Sequence, residues 1–155
     1  MSKNVVASGM TAVVLLWSAA ALGAQQFGTA DEARAMLDRA IGALKTDEAK
    51  ALSQFNDPSN KEFRDHDLDV FCYNMSDGKI TAYESPALLD ADVRSLSLKD
   101  DPVGKRTYEA AQNAPEGSVI TVDYKLPKPG TTVPVPKQTV EARVGKLSCG
   151  VTYFK

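Results

Sequence analysis

Two cysteines, each inside a strand-like apolar run, limit the folds open to this 155-residue chain more than any other feature. Cys72 lies in residues 68–83, LDVFCYNMSDGKITAY, which reads as two strands reversed at Ser76-Asp77-Gly78-Lys79. Asp-Gly is favoured hairpin-turn chemistry. Cys149 lies in the last apolar run, residues 147–154, LSCGVTYF. The two runs are expected to be core strands of one small sheet, stapled by Cys72–Cys149.

The N-terminus bears on whether that staple forms. Lys3 precedes an uncharged stretch whose apolar centre is residues 12–17, AVVLLW, and which ends in small residues at 18–24, SAAALGA. That is the layout of a signal peptide, residues 1–24, cleaved after Gly23 or Ala24. An uncleaved anchor is the alternative, because a membrane span needs about 20 apolar residues. Either way the remaining chain is expected outside the cytoplasm, periplasmic or secreted. In an oxidising compartment two cysteines and no others point to one disulfide, with two buried free thiols as the alternative. The chain-entropy ceiling for so long a loop is about 4–4.5 kcal/mol. Two cysteines and one histidine do not fill a zinc shell.

What remains, residues 25–155, is enough for one domain with a real core. A formal net charge of −2 gives no basic footprint, so nucleic acid is not an expected partner.

A helix signal opens this domain. Thr29 to Glu32 fits a capping box, and Ala33, Met36, Leu37, Ala40, Ile41 and Leu44 then follow one helical face. Gly42 and Thr46 are expected to bend the helix before residues 47–55 add two turns. Turn formers at 56–60 stop it. In residues 68–75, Leu68, Val70 and Cys72 alternate with Phe71, Tyr73 and Met75. Apolar residues on both faces mark a strand covered on both sides. Residues 84–114 form the longest connection, with short helical pieces expected at 87–93 and 105–113. Strands return at 118–126, 138–144 and 147–154. Four prolines in residues 127–136 make that stretch a hairpin arm or loop and not a ladder interior. One long helix with strands joined mostly by short turns implies an α+β domain, the helix packed on an antiparallel sheet.

The ordered strings resemble the single Cache domains, extracytoplasmic PAS-like sensor modules of bacteria. They are Ala51-Leu52-Ser53-Gln54-Phe55-Asn56-Asp57, then residues 67–73 with their Asp77-Gly78 turn, then residues 149–155, CGVTYFK. Residues 85–89 and 122–127 sit where that family has related strings. The resemblance covers about residues 30–155. It implies a long helix behind a PAS-like sheet and a pocket on the other face, lined by the strands and the long connection. Such a pocket holds a small metabolite, often a carboxylate. Three positions near the expected pocket depart from the family: Tyr83 for a usual histidine, Ser85 for asparagine and Leu126 for a common tryptophan. With the sequence ending at Lys155, the resemblance implies a stand-alone form that acts through a separate membrane-bound signalling or transport partner.

A small anion in a mostly apolar pocket needs a few donors. Arg94 and Lys137 are the candidate cations. Tyr73, Tyr83 and Tyr124 are the candidate walls and hydroxyls. The competing reading makes them core aromatics and solvated surface charges. No cofactor or metal is expected: residues 65–69, DHDLD, fail the calcium-loop test, since Val70 and Ser76 stand where glycine and glutamate are needed. His66, the single histidine, fits a left-handed turn position. Having one histidine also weakens any triad scheme, so the expected role is binding and not catalysis. The competing function is a ligand-free protein-interaction module.

Overall fold

The computed structural model describes residues 27–155. The signal peptide expected at residues 1–24, and its cleavage site, lie outside the described residues.

Helix α1, Ala30–Thr46, starts at the expected capping box: the Glu32 amide donates to Thr29 Oγ1 (3.2 Å) and the Thr29 amide to Glu32 Oε2 (2.8 Å). The break after it falls at Asp47, in extended geometry, and not at Gly42 or Thr46. The Thr46 hydroxyl instead folds back on the Gly42 carbonyl (2.9 Å), within the helix. Asp47 closes α1 through its amide and caps α2, Glu48–Phe55, by accepting from the Lys50 amide.

Six strands follow in one antiparallel sheet: β1 Arg64–Asp65, β2 Leu68–Asn74, β3 Ile80–Ala82, β4 Val119–Pro127, β5 Pro134–Val144 and β6 Leu147–Phe154. The order is β1-β2-β6-β5-β4, with β3 also paired to β2. The last and the first long strands are therefore neighbours. Their register sets Cys72 directly opposite Cys149, and the two sulfurs are bonded at 2.06 Å. The prolines of 127–136 lie where a hairpin arm tolerates them: Pro127 pairs with Pro134 and Lys125 with Pro136. The β5–β6 ladder stops at Lys137 and Phe154, so this arm overhangs the sheet. Pro136 turns its carbonyl to the Lys155 amide (3.0 Å) on the β6 side, past the last β5–β6 pair, so its missing amide hydrogen costs the β4–β5 ladder nothing.

Strand alternation separates two cores. On one face Leu68, Val70, Cys72, Leu147, Cys149 and Val151 meet Ala33, Met36, Leu37 and Ala40 of α1. Fully burying such a side chain stabilises by about 1.5–3 kcal/mol. On the other face Tyr73 and Ile80 pack with Val93, Tyr108 and Ala111. These last three come from the long connection, which crosses the sheet as two 3₁₀ turns, Pro86–Leu88 and Val93–Ser95, and helix α3, Val103–Asn113. The Val93 amide ties the connection to the Gly78 carbonyl (2.8 Å), and within it the Gly104 amide donates to the Leu96 carbonyl (3.0 Å). A Cβ on Gly104 would lie 1.9 Å from the Val93 carbonyl oxygen, so only glycine lets α3 close on the turn. His66 has φ 55°, as a left-handed turn position requires. No helix among the described residues is long and apolar enough to cross a membrane.

Candidate functional site

Between the sheet face turned away from α1 and the crossing connection lies a cavity of about 840 Å³. Its size falls within the range of small-molecule sites. Alternation selects its floor: Asp69 and Phe71 of β2, Thr152 and Phe154 of β6, Lys137 and Thr139 of β5, Tyr124 and Leu126 of β4. Cross-strand pairs place these side by side, Thr139 against Thr152 and Lys137 between Tyr124 and Phe154. Tyr83, Glu84, Leu88, Leu96, Val103 and Thr107 form the roof, with Arg64, Asp67 and Lys128 at the ends. Gly150 opposes Phe71 and leaves room for its ring; a Cβ there would meet the ring at 2.7 Å.

Charge in the cavity is zoned by strand order. Asp67 and Asp69 on or before β2, and Glu84 after β3, make one end acidic, with Arg64 among them. Lys137 and Lys128, on β5 and the overhanging arm, make the other end basic. The Lys137 ammonium rests 4.5 Å from the Phe154 ring centroid. Lys128 lies 4.5 Å from the Phe27 ring and 5.5 Å from that of Phe154. The two rings meet edge to face. Neither lysine is in an ion pair among the described residues.

Burial dominates the electrostatics. It pushes the Asp69 carboxyl up to about 6, and Glu84 adds to the shift while Arg64 and Lys137 oppose it. The Asp69 carboxylate makes no hydrogen bond or ion pair among the described residues. Burial also raises the Tyr83 hydroxyl to about 12. Tyr124 moves up for the same reason, partly offset by the Thr152 and Thr139 side chains. Both phenols are therefore neutral donors at physiological pH.

Of the candidate ligand residues, Tyr83, Tyr124 and Lys137 line this cavity together. Tyr73 and Arg94 are not among its lining residues. Tyr73 is fully buried, its hydroxyl donating to Glu141 Oε1 and more distantly to the Thr107 carbonyl (3.4 Å). Arg94 grips its neighbour Asp92 through Nε (2.8 Å) and Nη2 (2.6 Å), and Nη2 also donates to the Asp77 carbonyl (2.8 Å). Its guanidinium lies 5.0 Å from the Tyr108 ring centroid. Arg94 thus ties the connection to the β2–β3 turn. Cys72 and Cys149 face α1, away from the cavity. Sequence reasoning missed Asp69, Glu84, Lys128, Thr139 and Thr152. For Asp69 the signal was present: its parity is that of Phe71 and Tyr73.

No protein-family profile matches the sequence, and no curated protein matches it. Solved structures do match the fold. A methyl-accepting chemotaxis protein from Vibrio parahaemolyticus RIMD 2210633 superposes with a TM-score of 0.59 at 17% identity, over 80% of this chain and 86% of that one. The periplasmic sensor domain of a chemotaxis protein gives 0.54 at 16% identity, over 80% and 88%. A Cache chemosensory domain described for carboxylic acid recognition gives 0.54 at 15% identity, over 80% and 86%. The chain is a single Cache-like domain in fold, a helix-backed antiparallel sheet of the PAS-like α+β kind.

Proposed function

We propose that this protein is an extracytoplasmic sensor domain that binds a small organic acid in the cavity between sheet and connection. The observation that carries this reading is the Lys137 ammonium, on the floor of a roomy cavity and in no ion pair among the described residues. A carboxylate arriving there gains a charge-assisted hydrogen bond in partly desolvated surroundings. Tyr83, Tyr124, Thr139 and Thr152 supply neutral hydroxyls around it, and Phe71, Phe154 and Leu126 supply apolar wall. The likeness to chemosensory folds supports sensing over catalysis.

Binding would act by favouring one arrangement of the connection over the sheet, read by a separate membrane-bound signalling or transport protein. Export by the N-terminal segment places the domain in the periplasm or outside the cell. A ligand-free interaction module is served better by a filled cavity, and this one is open.

A thermal-shift screen of residues 25–155 against small carboxylates, amino acids and purines tests the proposal. A ligand at 100 times its dissociation constant stabilises by about 2.7 kcal/mol, which a domain of this size reports clearly. A hit confined to carboxylates, lost in Lys137→Gln, is the expected outcome. A flat screen with folded protein overturns it in favour of the interaction module.

A further inference from the structure

Lys128 and Lys137 both line the cavity and both rest on aromatic faces, sharing the ring of Phe154 at 5.5 and 4.5 Å. Their neighbour Lys155 is different: its ammonium is ion-paired with Asp123 at 2.7 Å. Among the described residues the two cavity lysines are in no ion pair, because the acids of the cavity stand on the far side of β6. Asp67 there is already engaged by the Gly28 amide (2.7 Å). A ring face holds an ammonium weakly compared with a carboxylate. Two ammonium groups gathered at one ring also repel each other. A single carboxylate answers one of them and leaves the other resting on a ring face.

We infer that the cavity selects a dianionic ligand, a small dicarboxylate, one carboxylate held by Lys137 and the second by Lys128. This rests on the ligand-binding reading above and narrows it. Lys128 is then a specificity residue: it separates diacids from monoacids, while Lys137 serves both. Its position on the overhanging arm gives it freedom to follow ligands of different length. Phe27 is the ring it leaves when it turns to the ligand, so occupancy should alter the environment of the segment leading into α1.

Calorimetric titration with matched pairs, propionate against malonate and butyrate against succinate, tests this on the wild type and on Lys128→Gln. The better-fitting diacid is expected to bind on the order of tenfold or more tightly than its monoacid. Lys128→Gln should erase that margin, costing the diacid more affinity than the monoacid. Equal binding of diacid and monoacid by the wild type, or a Lys128→Gln loss that is the same for both, overturns the inference. Binding by some other compound class with no diacid bound also overturns it, and leaves the ligand cavity standing. No binder of any class overturns both readings.

Discussion

Tyr73 on β2 donates its hydroxyl to Glu141 on β5, reaching across β6, whose Ser148 donates to the same carboxylate oxygen at 2.5 Å. Glu141 is fully buried and its other oxygen, Oε2, has no hydrogen-bond partner among the described residues. Burial pushes its carboxyl up to about 7, against the downward pull of those two hydrogen bonds. A native pKa above the unfolded value means the folded state holds the extra proton between about 4.5 and 7. Stability is therefore full below the unfolded value and declines as pH rises through that window. Glu141→Gln removes the charge and keeps an acceptor for Tyr73 and Ser148. Melting curves from pH 5 to 8 should fall for the wild type and fall less steeply for the variant. A wild-type curve that rises over this range would refute the assignment.

Asp69 obeys the same sign in a window that starts lower, from its ordinary 3.8 to about 6. A shift of this size is worth at most about 3 kcal/mol, reached only above the window. Asp69→Asn should leave the melting temperature unchanged near pH 4 and raise it at pH 8. The comparison needs only two buffers, and a variant less stable than wild type at pH 8 would contradict it.

Arg94 offers a cleaner separation of structure from binding. Because its guanidinium ties Asp92 and the Asp77 carbonyl to the Tyr108 ring, Arg94→Ala is expected to lower the melting temperature. Ligand affinity should stay unchanged, since the side chain does not line the cavity. A drop in affinity with an unaltered melting temperature would reverse this placement.

The Cys72–Cys149 link spans 77 residues of sequence, giving a chain-entropy ceiling of about 4.5 kcal/mol. Replacing both cysteines with serine should lower the melting temperature by about 10 °C. Independently, thiol labelling of the denatured, unreduced wild type should find almost no reactive sulfur. Two labels per chain would mean the link is absent.

Much of the architecture was legible because helix α1 and strands β2 and β6 carry strong local patterns. The capping box at Thr29, the 3.6-residue apolar face and the two cysteine-bearing runs each fix an element without tertiary information. The break was expected at Gly42 and Thr46 and falls at Asp47, because an aspartate that ends one helix and caps the next looks, in sequence, like any first-turn acid. For the cavity, Tyr83, Tyr124 and Lys137 could be chosen as residue types that suit a small anion, yet Arg94 could not be distinguished from them. Its partner Asp92 is two residues away, and only the 3₁₀ turn at Val93–Ser95 folds the guanidinium back on it. Asp69 and Glu141 were overlooked for a related reason. An acid inside an apolar strand reads as solvated until the connection is known to cover that face.

The disulfide joins β2 to β6, and those two strands carry Asp69, Phe71, Thr152 and Phe154 on their other face. The cavity floor, cross-linked by that bond and packed on α1, is one slab, whereas the roof is held by the packing of Val93, Tyr108 and Ala111, a few amide bonds and the Arg94 fork. Substitutions in the roof should retune which molecule is held while the slab sets the unfolding temperature. Selectivity and durability then sit in separate parts of the chain, so related sequences are free to diverge in the first without eroding the second.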